Sequence, residues 1–485
     1  LSFTTITDET RLALANLADR ATGLVNPSVR LGVTGLARAG KTVFIVALIH
    51  NLVHGGRLPL FRAWSGGRIS DARLQPQPDD TVPRFDYERH VRDLVEERIW
   101  PESTRQIAEL RLAIEYESAT FLGRNFGSGR LNLDIVDYPG EWLLDLALID
   151  KSYAAWSREA VGFARSPAHY ALAARFLSRL SESHADAPAS EATARELAAL
   201  FTDYLRDLRA DGNRIATQPP GRFLMPGDLE GSPALTFAPL VIEGDDLGES
   251  GSLARMMARR YEAYKSAIVR PFFRDHFARL DRQIVLVDAL QALNGGRDAV
   301  ADLESALADA LSAFRVGSTN WLSGLVTRRI DRLLFAATKA DHLHHEDHDR
   351  LEAILARMVA RAAERARFAG TKVDVLALAS VRATREGSVT RGNERLATII
   401  GTPMPGETVD GKTFDGETET AIFPGDLPAD PESIFKRNGA GPDLPLRFVR
   451  FRPPRLERSA EGLTLSLPHI RLDRALEFLL GDRLA

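Results

Sequence analysis

Short apolar runs recur along the chain at Leu31–Thr34, Ile107–Tyr116, Leu131–Val136, Gln283–Asp288, Arg332–Ala337 and Val373–Ala379, the one at Gln283–Asp288 rich in β-branched residues. Runs of this length and composition suit buried strands. Between and beyond them apolar residues recur with a helical period at Thr7–Leu24, Thr42–Asn51, Tyr87–Trp100, Ala168–Glu182, Glu191–Ala210, Leu253–Phe277, Asp298–Phe314, Thr319–Arg328 and Arg350–Phe368. Strands alternating with helices in this order predict an α/β fold with a mostly parallel sheet of about six strands. Ile107–Tyr116 and Leu131–Val136 flank the turn cluster Asn125–Gly129 and read as one antiparallel edge hairpin. The stretch Gly55–Val82, rich in Gly, Pro, Arg and Asp, reads as loop.

The pattern divides the chain into a core interrupted twice. Residues 1–142 make the first half of the core, 143–282 a large helical insertion and 283–385 the second half. Residues 386–468 read as a small β-containing insertion, with tight turns over Gly406–Gly425 and a half-exposed strand over Leu446–Phe451. Residues 469–485 carry an amphipathic helix, His469–Leu480, that returns to cover the sheet.

Composition narrows the function classes. Lys plus Arg number 62 against 66 Asp plus Glu, a formal charge of −4 over 485 residues, so no global charge points to nucleic acid. With no cysteine, a disulfide framework, thiol catalysis and thiolate metal sites are excluded. No apolar run has the length of a transmembrane helix, and the expectation is a cytoplasmic protein without a signal peptide. The basic residues Arg255, Arg259, Arg260, Lys265, Arg270 and Arg274 read first as a solvated helix face, and then as a surface for a partner or anionic lipid.

The chemistry is concentrated at the first strand's end. Gly35–Thr42 reads G-L-A-R-A-G-K-T and fits G-x-x-x-x-G-K-[ST], with an apolar strand before it and an apolar helix after it. The glycines let the backbone turn its N–H groups toward phosphate at the helix's positive end. Gly35, Ala37, Arg38, Ala39, Gly40, Lys41, Thr42 and Val43 are therefore the candidate phosphate-loop residues. Lys41 is expected to reach the β- and γ-phosphates, and Thr42 to ligate Mg²⁺. The hairpin's second strand, Leu131–Val136, ends in D-Y-P-G-E-W, where Asp137 is placed to hold Mg²⁺ and Gly140 to meet the γ-phosphate. The run Asp341–His348 packs four histidines among carboxylates; it reads as a loop entering a helix before it reads as a metal site.

G-L-A-R-A-G-K-T, D-Y-P-G-E-W, T-K-A-D at Thr338–Asp341 and the strand-end Ser380-Val381-Arg382 resemble the four recurring elements of small-GTPase-type P-loop domains. The finer wording D-Y-P-G-E-W-L-L-D-L, W-P-E-S-T-R-Q and V-L-V-D-A-L-Q-A-L-N-G-G resembles the YcjX-like family of bacterial stress-induced P-loop GTPases, over nearly the whole chain. The resemblance implies GTP and GDP binding with Mg²⁺, slow hydrolysis, a bacterial cytoplasmic location peripheral to the inner membrane, and an inner-membrane partner of the YcjF type. It implies that Asp341 accepts hydrogen bonds from guanine N1 and N2, that Lys339 lays its stem over the base, and that the Val381 backbone, after Ser380 and beside Arg382, faces the guanine oxygen. Thr338 stands where the usual residue is asparagine, keeping a hydroxyl and losing the amide. Glu141 takes the place of the usual water-orienting glutamine, and Thr104, or Ser103 beside it, is the candidate switch residue completing the Mg²⁺ shell. The alternatives are a nucleotide-binding scaffold with negligible turnover and an ATPase.

Overall fold

The chain's second half supplies strands to a sheet begun in its first half, and the computed structural model shows how. It describes residues 27–36, 38–102, 104, 106–119, 129–210, 217–312, 330–391, 394–435, 446–456 and 466–485. The expected helices Thr7–Leu24 and Thr319–Arg328, most of the turn cluster Asn125–Gly129, and candidates Ala37 and Ser103 lie outside the described residues. Two compact units divide the chain: Leu1–Tyr138, Ala278–Asn294 and Val316–Ala485 form the first, Pro139–Phe277 and Gly295–Arg315 the second.

In the first unit, β1 (Ser28–Gly35), β2 (Ile69–Gln75), β3 (Ala108–Tyr116), β4 (Gly129–Asp137), β5 (Arg282–Val287), β6 (Arg332–Ala337) and β7 (Lys372–Ala377) form a seven-stranded sheet ordered β2-β3-β4-β1-β5-β6-β7. β4, β1, β5, β6 and β7 pair in parallel, and β3 runs against both its neighbours. β1 and β5 are buried at nearly every position, which explains their continuous apolar reading. β2 corrects the loop reading of Gly55–Val82. Its sequence I-S-D-A-R-L-Q buries only Ala72, so no apolar period marks it; the backbone ladder to β3 and the Arg73–Glu115 ion pair hold it as an edge strand.

The helix α1 (Lys41–Val53) is buried along most of its length against this sheet. Leu472, Ala475, Leu476, Leu479 and Leu480 of the helix Leu472–Leu480 join the same core. Asn51 fastens the two: its Nδ2 donates to the Leu467 carbonyl at 3.2 Å and its Oδ1 accepts from the Leu467 N–H at 3.0 Å. Beyond β7, β8 (Arg385–Arg391), β9 (Glu394–Gly401) and β12 (Thr420–Ile422) form a three-stranded antiparallel sheet, and β10 (Thr408–Val409) pairs with β11 (Lys412–Thr413). Leu446–Phe451 is not the expected strand. Its pairing is confined to one antiparallel bridge, Phe451 opposite Pro403, in which Met404 N donates to the Arg450 carbonyl and Arg452 N to the Thr402 carbonyl, while Arg447 N donates to the Pro424 carbonyl. Arg447, Arg450 and Arg452 pair with Asp410, Glu407 and Glu417 inside this region.

The second unit is helical, with α2 (Glu191–Ala210) its longest described helix. The expected helix Leu253–Phe277 is helical over Leu253–Tyr264 and Arg270–Asp275, joined by a π turn over Lys265–Val269. Two of its basic residues turn inward: Arg260 pairs with Glu191 and the Thr236 carbonyl, and buried Lys265 donates to the Lys151 carbonyl at 2.8 Å. In the first unit the expected single helix Arg350–Phe368 is two, His348–Met358 and Ala360–Phe368, parted at Val359.

Asn51→Ala removes both partners of a buried peptide group at Leu467. It is expected to cost about 2–4 kcal/mol, read as a lowered urea midpoint of unfolding.

Candidate nucleotide-binding site

β1 approaches β5 so closely that a side chain at Gly35 would put its Cβ 2.3 Å from the Leu286 carbonyl oxygen. Only glycine fits, and there the chain leaves the sheet edge. Gly40 closes the loop in the left-handed region at φ 84° as the cap of α1, and Arg38 is also left-handed at φ 64°. The loop wraps its own lysine: Lys41 Nζ donates to the carbonyls of Gly35 at 3.1 Å and Leu36 at 3.2 Å. Lys41, Thr42 and Ala39 are buried, Val43 half-buried and Arg38 exposed.

Thr104 comes to the same place from the segment before β3. Its Oγ1 lies 3.3 Å from Thr42 Oγ1 and donates to Asp137 Oδ2 at 2.6 Å. The other oxygen of Asp137, Oδ1, is buried with no hydrogen-bond partner. Burial pushes the Asp137 carboxyl up to about 6, against the pull of the Lys41 ammonium and the Thr104 hydroxyl. An orphaned carboxylate oxygen beside two hydroxyls is the all-oxygen donor set that Mg²⁺ takes together with water and phosphate.

The ends of three further strands of this unit are tied to one another. Thr338 donates to the Val287 carbonyl twice, from N at 2.9 Å and from Oγ1 at 3.3 Å. Lys339 is left-handed at φ 61° and its ammonium pairs with Asp288, the residue after β5. Asp341 is buried; its Oδ2 accepts from the Ala383 N–H at 2.9 Å and its carbonyl accepts from the Thr384 hydroxyl. This ties the T-K-A-D turn to Ser380, Val381 and Arg382, of which the first two are buried and the last donates from N to the Pro468 carbonyl at 2.7 Å. Sequence reasoning missed Asp288 and the Ala383 N–H. An acid at the tip of V-L-V-D was the available signal for the first; a backbone donor leaves none.

Gly140 and Glu141 belong to the second unit, entered at Pro139. Glu141 is 2% exposed, with Oε1 2.8 Å from Arg209 Nη2 on α2. The segment after it is equally fixed. Arg222 stacks 3.1 Å over the Trp142 ring, and Asp145 accepts from Gly221 N and Tyr264 Oη, both at 2.6 Å. Gly221 has no room for a side chain, since its Cβ would fall 1.9 Å from the Glu141 carbonyl oxygen. Burial pushes the Asp145 carboxyl up to about 6.

Of the histidine run, His348 bonds through Nε2 to the Ala340 carbonyl at 2.9 Å and burial lowers its pKa. His344, His345 and Glu346 are, among the described residues, the grouping close enough to share a cation, and two of the three are exposed.

A model of the YcjX-like family, DUF463, matches residues 29–484. The chain belongs to the YcjX-like family. It is 37% identical over 494 residues to the Ras-like GTPase YcjX of Escherichia coli strain K12, covering 97% of this chain and 100% of that protein. It is 34% identical over 502 residues to the Ras-like GTPase YcjX of Shewanella oneidensis, covering 99% of this chain and 98% of that one.

In this YcjX-like chain Arg209→Ala leaves the Glu141 carboxylate buried without its cation. A loss of about 2–3 kcal/mol is expected, discounted for Arg209's partial exposure. Adding Glu141→Gln should recover most of it, as read by thermal unfolding of the single and double variants.

Proposed function

We propose that this protein is a guanine-nucleotide-binding P-loop GTPase with slow intrinsic hydrolysis, acting as a stress-linked switch near the bacterial inner membrane. The observation that carries the reading is the convergence, in one unit, of Lys41, Thr42, Thr104 and Asp137 with a T-K-A-D turn braced against the S-V-R loop. The Ras-like GTPase names of the two relatives support the same reaction. The stress link and an inner-membrane partner of the YcjF type rest on the family resemblance alone. Among the described residues no helix is long and apolar enough to cross a membrane, so association with one is proposed as peripheral.

Each side chain has a task. Backbone N–H groups of Gly35–Val43 wrap the phosphates at the N-terminus of α1, and the Lys41 ammonium exchanges the loop carbonyls for phosphate oxygens. Thr42, Thr104 and Asp137 hold Mg²⁺, which supplies charge neutralisation on the β- and γ-phosphates. Asp341 offers its carboxylate to guanine N1 and N2; adenine presents no such pair of donors. Glu141, in place of glutamine, brings negative charge where a neutral amide is usual, and Arg209 holds it; both features favour slow turnover. That pairing also favours the second reading, a scaffold that holds nucleotide without turnover.

The test is competition of fluorescent GDP by GTP, GDP, ATP and ADP in Mg²⁺, with phosphate release measured in parallel. A guanine preference of about a hundredfold, or about 2.7 kcal/mol, is expected, and Asp341→Asn should abolish most of it. Equal competition by ATP would sink the reading, and absent phosphate release would leave the scaffold.

A pH dependence follows from Asp137. Its raised pKa means the folded, metal-free protein favours the proton, so that stabilising contribution is lost as pH rises through about 6. Mg²⁺ takes the ionised form, so its apparent affinity in the GDP complex should fall as pH drops below about 6. Mg²⁺ titrations at pH 5.5 and 7.5, about two units apart, should differ severalfold, and Asp137→Asn should flatten the difference.

A further inference from the structure

Asp288 ends V-L-V-D, one residue past β5, and has no part in the reading above. Its side chain is 3% exposed and its Oδ2 pairs with the Lys339 ammonium, whose side chain is 34% exposed. The carboxylate is itself aimed, because Oδ1 accepts from the Gln291 N–H at 3.1 Å. One residue earlier, the Val287 carbonyl takes both the N–H and the hydroxyl of Thr338. The end of β5 therefore grips two successive residues of the T-K-A-D turn.

We propose that Asp288 is a positioning residue for guanine recognition, holding the Lys339 stem in place for the base and bracing the turn where Thr338 lacks an asparagine amide. The inference rests on the guanine-binding reading. Three observations favour it over a purely structural ion pair. A pair with one desolvated carboxylate and one third-exposed ammonium contributes little to stability, so stability is a poor reason for burying Asp288. Lys339 sits in the left-handed region at φ 61°, where a side chain is disfavoured unless its surroundings fix it, and such residues gather at ligand sites. Asp341, two residues on, is pinned by the Ala383 N–H, so both side chains of the turn that face base recognition are ordered before any base arrives. A lysine with its rotamers fixed in advance binds without the ordering cost that a free one incurs.

That argument places the effect in binding and not in turnover. Asp288→Asn keeps the size and the acceptor for Gln291 N–H and removes only the charge that holds Lys339. Using the full chain, fluorescent GDP competed by GTP, GDP and ATP is measured for wild type, Asp288→Asn, Lys339→Met, their double variant and Asp341→Asn. Expected for Asp288→Asn are GDP and GTP affinities about tenfold weaker, unchanged ATP affinity, and unchanged phosphate release at saturating GTP. The double variant should bind no more weakly than Lys339→Met alone, because Asp288 acts through that lysine. Unchanged GDP affinity, additive losses in the double variant, or equal losses for GDP and ATP would each overturn the proposal. If Asp288→Asn does not fold, Asp288→Ser, which also keeps an acceptor for Gln291, carries the same expectations. Asp341→Asn separates the two failures. If it leaves the guanine preference intact, the base-pocket reading falls; if it removes the preference while Asp288→Asn has no effect, only the role of Asp288 falls.

Discussion

Parallel pairing of β4, β1, β5, β6 and β7 is the constraint on which the site depends. The register sets Val33 opposite Asp137, Gly35 opposite Leu286, Val287 opposite Ala337 and Ala337 opposite Ala377. Parallel strands that start in register end in register. The phosphate loop, Asp137, Asp288, the T-K-A-D turn and the S-V-R loop therefore leave the sheet along one edge, although more than 300 residues separate the first from the last. Ligands of open α/β sheets bind outside the carboxyl ends of strands for this reason. Nothing local in any of these five segments brings it to the others.

The same edge sets the electrostatics. Side chains at the tips of buried strands are half inside a low-dielectric interior, so their charges need partners close by. Asp288 has Lys339 and the Gln291 N–H; Asp341 has the Ala383 N–H; Asp137 has Thr104 for one oxygen and none for the other. The uneven satisfaction is informative. A paired carboxylate is held in one orientation; Asp137, whose pKa burial raises, keeps one oxygen without a hydrogen-bond partner, and a cation is the natural remedy.

Much of this was legible in the sequence because glycine, lysine and acid positions at strand tips are local patterns with a mechanism. G-L-A-R-A-G-K-T announces itself since Gly35 and Gly40 are needed for close approach and positive φ respectively. What escaped was whatever depends on partners distant in sequence. β2 has a polar, exposed sequence and exists through its ladder to β3. Leu446–Phe451 alternates as a strand does, yet it meets a neighbouring backbone only at its end, where Phe451 bridges Pro403. Arg260 and Lys265 looked like a solvated stripe, but carboxylate and carbonyl partners inside the unit draw them in. Asp288 was visible as a strand-tip acid; that its partner is the lysine of the T-K-A-D turn required β5 and β6 to be neighbours.

The chain spends very few residues between Asp137 and Glu141, and they pass from one unit into the other. On the side of Glu141 the polar groups have partners: the carboxylate an ion pair with Arg209 that lacks hydrogen-bond geometry, Asp145 two backbone N–H groups and a tyrosine, Trp142 the Arg222 guanidinium. Freeing Glu141 to orient a water means separating a buried charge from its cation, which costs several kcal/mol unless another cation takes over. At about 1.4 kcal/mol per tenfold, that cost alone slows a reaction by orders of magnitude. On the proposed reading, slow turnover therefore follows from what already occupies this carboxylate more than from the exchange of glutamine for glutamate.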